Sequence, residues 1–443
     1  MMHRYRAEPF FLRSWLSAAL LMATSLNAVM VQGAESLTDA WQLAAAANPT
    51  LAASLSDTAA ATAERRAAEA GRLPSLVASG SIMRLSQSPA LAFDTGAGVF
   101  RSPPLFAGDE MRMGSIEMRL PLFTGGRLSA GIAAAKAGEQ AASALHTGAA
   151  ADLRLEVAQA YVAVLRAERA LTAATAAVAS LQGHHDDVTA LVSRDLAPMS
   201  DLLAAKVSLA HAQQAHLAAE HAVTLARAHY NRLVGEPQER VVELALSLPA
   251  ASVAADTPLA ELVAAALRGR SELQALNARS EQLQSAASAE SRKRLPQVVL
   301  AGGWQHMGSQ LLDRQDYAQV GIGVQWQLFD AGATRQRAAA LRLAATANSQ
   351  RAEDARGGVE WQVRSAWSGV REAAARQHLA TAALAQATEN ERQSRELYGA
   401  GLANNTQVLD ALRLRTSAQV DYDSAEFDLA LSRYQLAHAV GTL

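Results

Sequence analysis

The chain has 443 residues, of which 50% are hydrophobic, 19% are charged and none is cysteine. The absence of cysteine excludes disulfides, thiolate metal sites and cysteine nucleophiles. A formal net charge of −2 argues against nucleic acid as a partner, because phosphate binding needs an excess of Lys and Arg on one surface. The apolar share is dominated by alanine and leucine, which favours long, closely packed helices.

Residues 1–33 have the pattern of a secretory signal peptide. Arg4, Arg6 and Arg13 precede an apolar stretch over 15–31, and small residues follow it. A transmembrane anchor is the alternative interpretation, since the stretch is close to spanning length, but it is interrupted by polar residues. The sequence therefore predicts an exported protein.

The first repeat is predicted to cover residues 34–235. A helix over 38–71 ends before Pro74, since proline cannot continue a helix. A strand pair follows over about 74–122, and its Pro- and Gly-rich segment 86–110 is predicted to be a hairpin loop. A long helix over 127–194 and a second helix over 200–235 complete the repeat.

The second repeat is predicted over residues 259–443, after a linker over 236–258. It has the same order of elements: a helix over 259–294, a strand pair over about 296–329, a long helix over 333–398 and a helix over 406–441. Its clearest strand alternates apolar residues at 320, 322, 324 and 326 with polar residues or glycine. Such strands are about long enough to cross a bilayer when tilted.

Internal alignment supports the duplication. Arg72-Leu73-Pro74 recurs 222 positions later as Arg294-Leu295-Pro296, and Leu122-Phe123 recurs 206 positions later as Leu328-Phe329. The second offset is constant to Val440-Gly441, so a single insertion or deletion between the landmarks explains the change. A fixed register over more than a hundred residues indicates a structural repeat.

The strand count predicts an oligomer. Four strands per chain cannot close a barrel, and open sheet edges are not tolerated in lipid. Two copies would give eight strands with a filled interior, whereas three copies would give twelve strands that could enclose a lumen. Each long helix spans roughly 100 Å, and two short helices placed end to end would match that length.

These features resemble the TolC family of outer-membrane efflux channels. The most specific match is the run from Leu397-Tyr398-Gly399 to Val408-Leu409-Asp410, and the resemblance covers essentially the whole mature chain. It implies a mixed membrane fold, mainly long helices forming a periplasmic tunnel, with four transmembrane strands per chain in a trimeric twelve-stranded β-barrel. The implied function is export from an inner-membrane pump to the exterior, in a tripartite efflux or type I secretion system.

The resemblance also implies partners and a constriction. The partners would be two further copies in a homotrimer, a periplasmic adaptor (membrane fusion) protein, the inner-membrane pump and outer-membrane lipid. The constriction would lie at the helix turns, where Asp410, Asp201 and Tyr398 match the acidic and tyrosine positions of the family. Gln407 stands where a second aspartate is often found. The alternative for both aspartates is a favourable position at a helix N-terminus.

Other readings carry less weight. His184 and its neighbours 185–187 could bind a metal, but a solvated coiled-coil surface is the preferred interpretation of this segment. The sequence contains no nucleotide-binding, metalloprotease or hydrolase motif, so no catalytic, cofactor or metal site and no enzymatic activity are predicted. A periplasmic structural coiled coil without transport function is the alternative function, although it leaves the paired strands unexplained.

Overall fold

The computed structural model describes residues 34–106, 110–253, 257–309 and 312–443. The predicted signal peptide lies outside these residues. Within the described part of the chain, no helix combines the length and the apolarity needed to cross a membrane.

The two repeats have the same succession of elements. The first repeat contains α1 (Leu37–Ala47), α2 (Pro49–Ala70), β1 (Ser75–Arg84), β2 (Ala92–Asp94), β3 (Val99–Arg101), β4 (Glu110–Phe123), α3 (Arg127–Val192) and α4 (Met199–Val234). The second repeat contains α5 (Leu259–Gly269), α6 (Ser271–Ser291), a 3-10 turn (Arg292–Arg294), β5 (Gln297–Met307), β6 (Asp316–Gln325), α7 (Ala333–Gly399) and α8 (Asn405–Val440). The short strands β2 and β3 form a hairpin within the predicted loop 86–110.

The prediction of one continuous helix at the start of each repeat is wrong. In the first repeat the helix breaks at Asn48, whose side chain caps α2 by accepting a hydrogen bond from the backbone N–H of Leu51 at 3.0 Å. Pro49 follows, and the residue before a proline avoids the helical conformation. In the second repeat the break is at Arg270, whose guanidinium donates to the carbonyl oxygen of His438 at 3.1 Å. The second break depends on a contact that is remote in sequence.

The four long strands form one antiparallel sheet in the order β1-β4-β5-β6. Paired residues share a face, so the register assigns every side chain to one side of the sheet. One face is mainly apolar, and includes Leu76, Ile82, Ile116, Trp304, Val320, Ile322 and Val324, all of them exposed. The other face carries most of the polar side chains, including Ser79, Ser115, Glu117, Arg119, Gln305 and Gln319, together with apolar residues such as Val77 and Met83. The sheet is therefore amphipathic.

The short helices lie end to end along the long helices. Near the strands, Arg65 of α2 contacts Glu139 of α3 at 2.6 Å. Farther along α3, Glu168 accepts a hydrogen bond from Arg227 of α4 at 2.7 Å. The ends of α1 and α4 meet at Gly235, which has φ +78° and lies so close to Ala47 that a Cβ atom would clash. The sequence predicted that two short helices placed end to end would match one long helix in length. In the structure the short helices do pack side by side with the long helix in this way.

Midway along the helices, the chain segment after α4 packs against the start of α1. The backbone N–H of Glu35 donates to Glu243 at 2.8 Å, and the Tyr161 hydroxyl donates to the carbonyl oxygen of Glu35 at 2.7 Å. The Glu35 carboxylate accepts from the Tyr230 hydroxyl and pairs with Arg240 at 2.8 Å. This polar cluster borders a hydrophobic core that includes Leu153, Val157, Tyr161 and Val164.

Candidate channel constriction

The helix turns farthest from the strands have the same backbone conformation in both repeats. Asp195 in the turn from α3 to α4 has φ +60°, and Gly401 in the turn from α7 to α8 has φ +74°. In each turn the next leucine closes the helix: Leu196 donates to the carbonyl oxygen of Leu191 at 2.9 Å, and Leu402 donates to that of Leu397 at 2.8 Å. The duplication thus places two equivalent turns at one end of the helices.

Asn405 joins the two turns. Its side-chain nitrogen donates to the carbonyl oxygen of Asp201 at 3.1 Å, and its side-chain oxygen accepts from Nε2 of His184 at 2.7 Å. Both Asn405 and His184 are buried. One amide therefore connects α8 to α3 and to α4.

His184 was assigned to a solvated surface from the sequence, and that prediction is wrong. Its ring packs against the ring of Tyr398, with the centroids 5.5 Å apart. Burial lowers the pKa of His184, opposed by the hydrogen bond to Asn405 and reinforced by the nearby Arg395. The periodicity of α3 could not reveal a partner that lies 221 positions away.

Tyr398 lies beside the same cluster. Burial raises the pKa of its hydroxyl, and the charges of Asp201 and Asp187 act in the same direction. Its hydroxyl oxygen is buried without a hydrogen-bond partner among the described residues. The structure therefore places Tyr398 and Asp201 at the same junction between the turns.

Asp410 lies elsewhere on α8, beyond its first turn. The helix begins at Asn405, so Asp410 is past the positions where the helix dipole acts most strongly, and its carboxylate instead lies 3.9 Å from Arg413. It lines a groove of about 940 Å³ between α3, α4 and α8, together with Arg169, Arg413 and Arg415. Asp201, by contrast, is in the first turn of α4.

Gln407 forms a capping box with Asn404. Its backbone N–H donates to the Asn404 side chain at 2.9 Å, and its own side-chain oxygen accepts from the Asn404 backbone at 3.1 Å. The Gln407 side chain, which the resemblance assigned to the constriction, is thus engaged in capping the start of α8.

A buried ion-pair cluster near these turns has no counterpart among the residues singled out from the sequence. Glu391 of α7 lies 3.0 Å from Arg395 and 3.1 Å from Arg415 of α8, and is almost fully buried. The i,i+4 spacing of Glu391 and Arg395 is a sequence pattern that indicates an ion pair on one helix. No local pattern indicates the second partner, Arg415 of α8.

Comparison with known proteins adds to this geometry. The family model for outer membrane efflux proteins matches the chain twice, over residues 40–236 and 262–442. A comparison with curated protein sequences gave no significant match.

Solved structures of outer-membrane channels share the fold. The chain is 20% identical to the outer-membrane channel OprN, with a TM-score of 0.76 over 92% of this chain and 90% of that one. It is 16% identical to VceC from Vibrio cholerae, with a TM-score of 0.77 over 91% and 96%. It is 18% identical to the open state of MtrE from Neisseria gonorrhoeae, with a TM-score of 0.73 over 91% and 88%.

The likeness to these structures concerns the fold, whereas the family model matches most of the sequence in both repeats. Because that match spans α1 to α4 and α5 to α8, the chain belongs to the outer membrane efflux protein family.

Proposed function

We propose that this protein assembles as a homotrimer and forms the outer-membrane channel of a tripartite efflux or type I secretion system. A periplasmic adaptor protein and an inner-membrane pump deliver substrates to its helical tunnel, which leads through the barrel to the exterior. Family membership supports the efflux role. The proposal of a trimer is supported by the amphipathic sheet, whose two edge strands have no partner on one side within the described residues of one chain.

The open edges are β1 and β6, each of which pairs on one side only within the described residues of one chain. Joining β6 of one copy to β1 of the next completes the backbone hydrogen bonds. Three copies then give twelve strands, with the apolar face towards lipid and the polar face towards a lumen. A purely structural coiled coil would have no use for an exposed apolar sheet face.

The helices have matching open edges. In the part of the molecule farthest from the strands the helices pack in the order α4, α3, α8 and α7. The outer helices there are α4 and α7. Four exposed apolar residues of α7 recur every 18 positions, which is five turns and hence one face: Leu343, Trp361, Leu379 and Leu397. Three exposed leucines of α4 also share a face: Leu203, Leu217 and Leu225. We propose that the end of the α7 stripe that lies level with α4, Leu379 and Leu397, packs against the α4 stripe of a neighbouring copy, and that the same copy covers the rest of the α7 stripe.

Within the trimer, the turns at the far end of the tunnel form the constriction. Asp410 and, with it, Asp201 and Tyr398 line this narrow part, and Gln407 contributes through its position at the start of α8. Three copies of each carboxylate around one axis attract cations and repel one another. The buried junction of Asn405, His184 and Tyr398 supports a tip held closed by contacts between turns.

The trimer is tested by native mass spectrometry in detergent together with disulfide cross-linking, for which the cysteine-free chain is a clean background. Ser79→Cys in β1 is combined in turn with cysteine at residues 319, 321 and 323 of β6. Across one sheet these strands are roughly 14 Å apart, which is too far for a disulfide. A disulfide between β1 and β6 therefore has to join two chains. We expect cross-linked species of two and three chains and none larger.

The control pair is Ser79→Cys with Ser115→Cys, whose hydroxyl oxygens are 2.7 Å apart and which should link within one chain. A mass corresponding to one, two or four chains, or the failure of every β1 to β6 pair while the control links, contradicts the proposal.

A further inference from the structure

The junction between strands and helices carries a concentration of positive charge. Seven basic residues lie within residues 71–74, 121–128, 290–296 and 326–337, and we call them the basic collar: Arg72, Arg127, Arg292, Lys293, Arg294, Arg335 and Arg337. The same segments contain two acidic residues, Glu290 and Asp330. The excess is five positive charges per chain, in a protein whose net charge is −2.

The two acidic residues leave most of this charge uncompensated. Glu290 is shared between Lys293 at 2.6 Å and Arg337 at 3.9 Å. The Asp330 carboxylate accepts from the backbone N–H groups of Gly332 at 3.0 Å and Thr334 at 2.8 Å, so it serves the start of α7. The collar is therefore strongly positive at its surface.

Exposed apolar side chains border the collar on the side of the strands. They include Leu73, Leu122, Phe123, Leu295, Trp326, Leu328 and Phe329, of which Phe329 is 86% exposed. The indole N–H of Trp326 donates to the carbonyl oxygen of Arg294 at 2.9 Å, which fixes an aromatic ring beside the collar. Trp326 directly follows the last residue of β6, and in sequence it continues the alternation of Val320, Ile322 and Val324.

Aromatic side chains at the end of a lipid-facing apolar band mark the level of lipid headgroups. Basic side chains just beyond that level meet the phosphate groups. We propose that the basic collar binds the headgroups of anionic phospholipids in the membrane leaflet that faces the helices. The occupant is a lipid surface, because the apolar belt and the positive charges adjoin in the order in which acyl chains and phosphates occur. This inference rests on the proposed outer-membrane position.

Lys293 and Arg294 are the best positions for a test. Both are exposed and lie in the short turn between α6 and β5, and glutamine at position 293 can still donate a hydrogen bond to Glu290, the partner of Lys293. Arg292 is a poor choice, because its guanidinium also donates to the carbonyl oxygen of Gly126 at 2.9 Å. The test variant is Lys293→Gln with Arg294→Gln. The matched control is Arg351→Gln with Arg364→Gln, which removes the same charge from exposed positions roughly 27 and 47 Å along α7.

The trimers are reconstituted in nanodiscs with equal amounts of phosphatidylcholine and phosphatidylglycerol, and lipids retained after release are counted by native mass spectrometry. We expect the unmodified protein and the control to retain phosphatidylglycerol preferentially. The test variant should lose about fivefold or more of that preference, since each basic group near the surface contributes about that factor. Raising the salt from 0.15 to 1 M should weaken it in the unmodified protein, because screening shortens from about 8 to about 3 Å.

Equal phosphatidylglycerol retention by the test variant and the control overturns the inference, as does retention of both lipids without preference by the unmodified trimer. The same spectra report the number of chains, so failure of the proposed assembly is distinguished from failure of the collar. If the double variant does not assemble, the single variants Lys293→Gln and Arg294→Gln decide in the same way.

Discussion

At the scale of single residues, Asp410 combines exposure with a basic neighbour. Its carboxylate is 60% exposed, and Arg413 lies 3.9 Å away on the same helix with most of its side chain in solvent. Exposed ion pairs of this kind contribute little to stability. Asp410 is therefore well placed to act on ions in the groove and poorly placed to hold the helix together.

We predict that Asp410→Ala raises single-channel conductance and weakens block by divalent cations, each by about twofold or more. The reason is that a ring of three carboxylates concentrates cations at a narrow neck and holds them there. Arg413→Ala should act in the opposite direction on block, because it removes the positive charge that offsets Asp410. Both are measured in planar bilayers with and without Mg²⁺.

Asp421→Ala is the matched control, since Asp421 is an exposed aspartate of α8 three turns farther from the tip. If Asp410→Ala behaves like this control while the trimer is intact, Asp410 lies outside the constriction.

At the scale of elements, the hydrogen bond between His184 and Asn405 ties α3 to α8. Arg395 of α7, Asp187 of α3 and Asp201 of α4 are the charged groups that act on His184. The pKa of His184 is lowered from its ordinary value of 6.5, mainly by burial, so the closed cluster holds the neutral ring. Below pH 6.5 the His184 ring takes up a proton when it is exposed to solvent but not when it is buried in the cluster. The contact thus loses stability as the pH falls through this window and regains it above.

We predict that backbone amides of residues 193–197 and 400–404 exchange hydrogen faster at pH 5.5 than at pH 7.5, after correction for intrinsic rates. His184→Gln should remove this difference, because glutamine can donate to Asn405 but does not titrate. His216→Gln, on a partly exposed face of α4, should leave it unchanged. Identical pH dependence in the His184→Gln variant would show that another group controls the turns.

At the scale of the whole molecule, the exposed stripe of α7 gives the assembly a specific weak point. Trp361 is 69% exposed in the single chain, although large aromatic residues are usually covered. Its neighbour Trp367 already packs within the chain and has the guanidinium of Arg371 over its ring at 4.7 Å. Trp361 is thus the tryptophan of α7 left for a neighbouring copy to cover.

We predict that Trp361→Glu shifts the protein from trimer towards monomer on mild heating in detergent. Loss of a buried tryptophan costs about 3 kcal/mol, and a buried unpaired carboxylate adds to that cost at all three interfaces. Trp361→Phe retains most of the apolar contact and should keep the trimer. Native gels at a series of temperatures measure the effect, and equal stability of the two variants would place Trp361 outside the interface.

Much of the architecture followed from the sequence because it depends on local patterns. The register of 206 positions placed Asp195 and Gly401 in equivalent turns, and alternation at 320, 322 and 324 identified the apolar face of β6. The end of the helical segment before Pro74 and the extent of the long helices depend on the residues next to one another along the chain. The same register predicted that the turns carrying Asp201 and Tyr398 lie at one end of the helices, while the role of these residues in a constriction stays a prediction.

Tertiary structure decided the contacts between segments that are remote along the chain. The break between α5 and α6 at Arg270 depends on carbonyl groups at the end of α8, 168 positions away. Burial of His184 depends on Asn405, and the environment of Glu35 depends on Tyr230, 195 positions away. Helical and strand periods specify which face of an element is apolar, but they do not specify which other element covers a given residue. His184 is buried, and linked through Asn405 to both turns, because α3, α4, α7 and α8 pack together around it. The sequence of α3 alone does not contain that information.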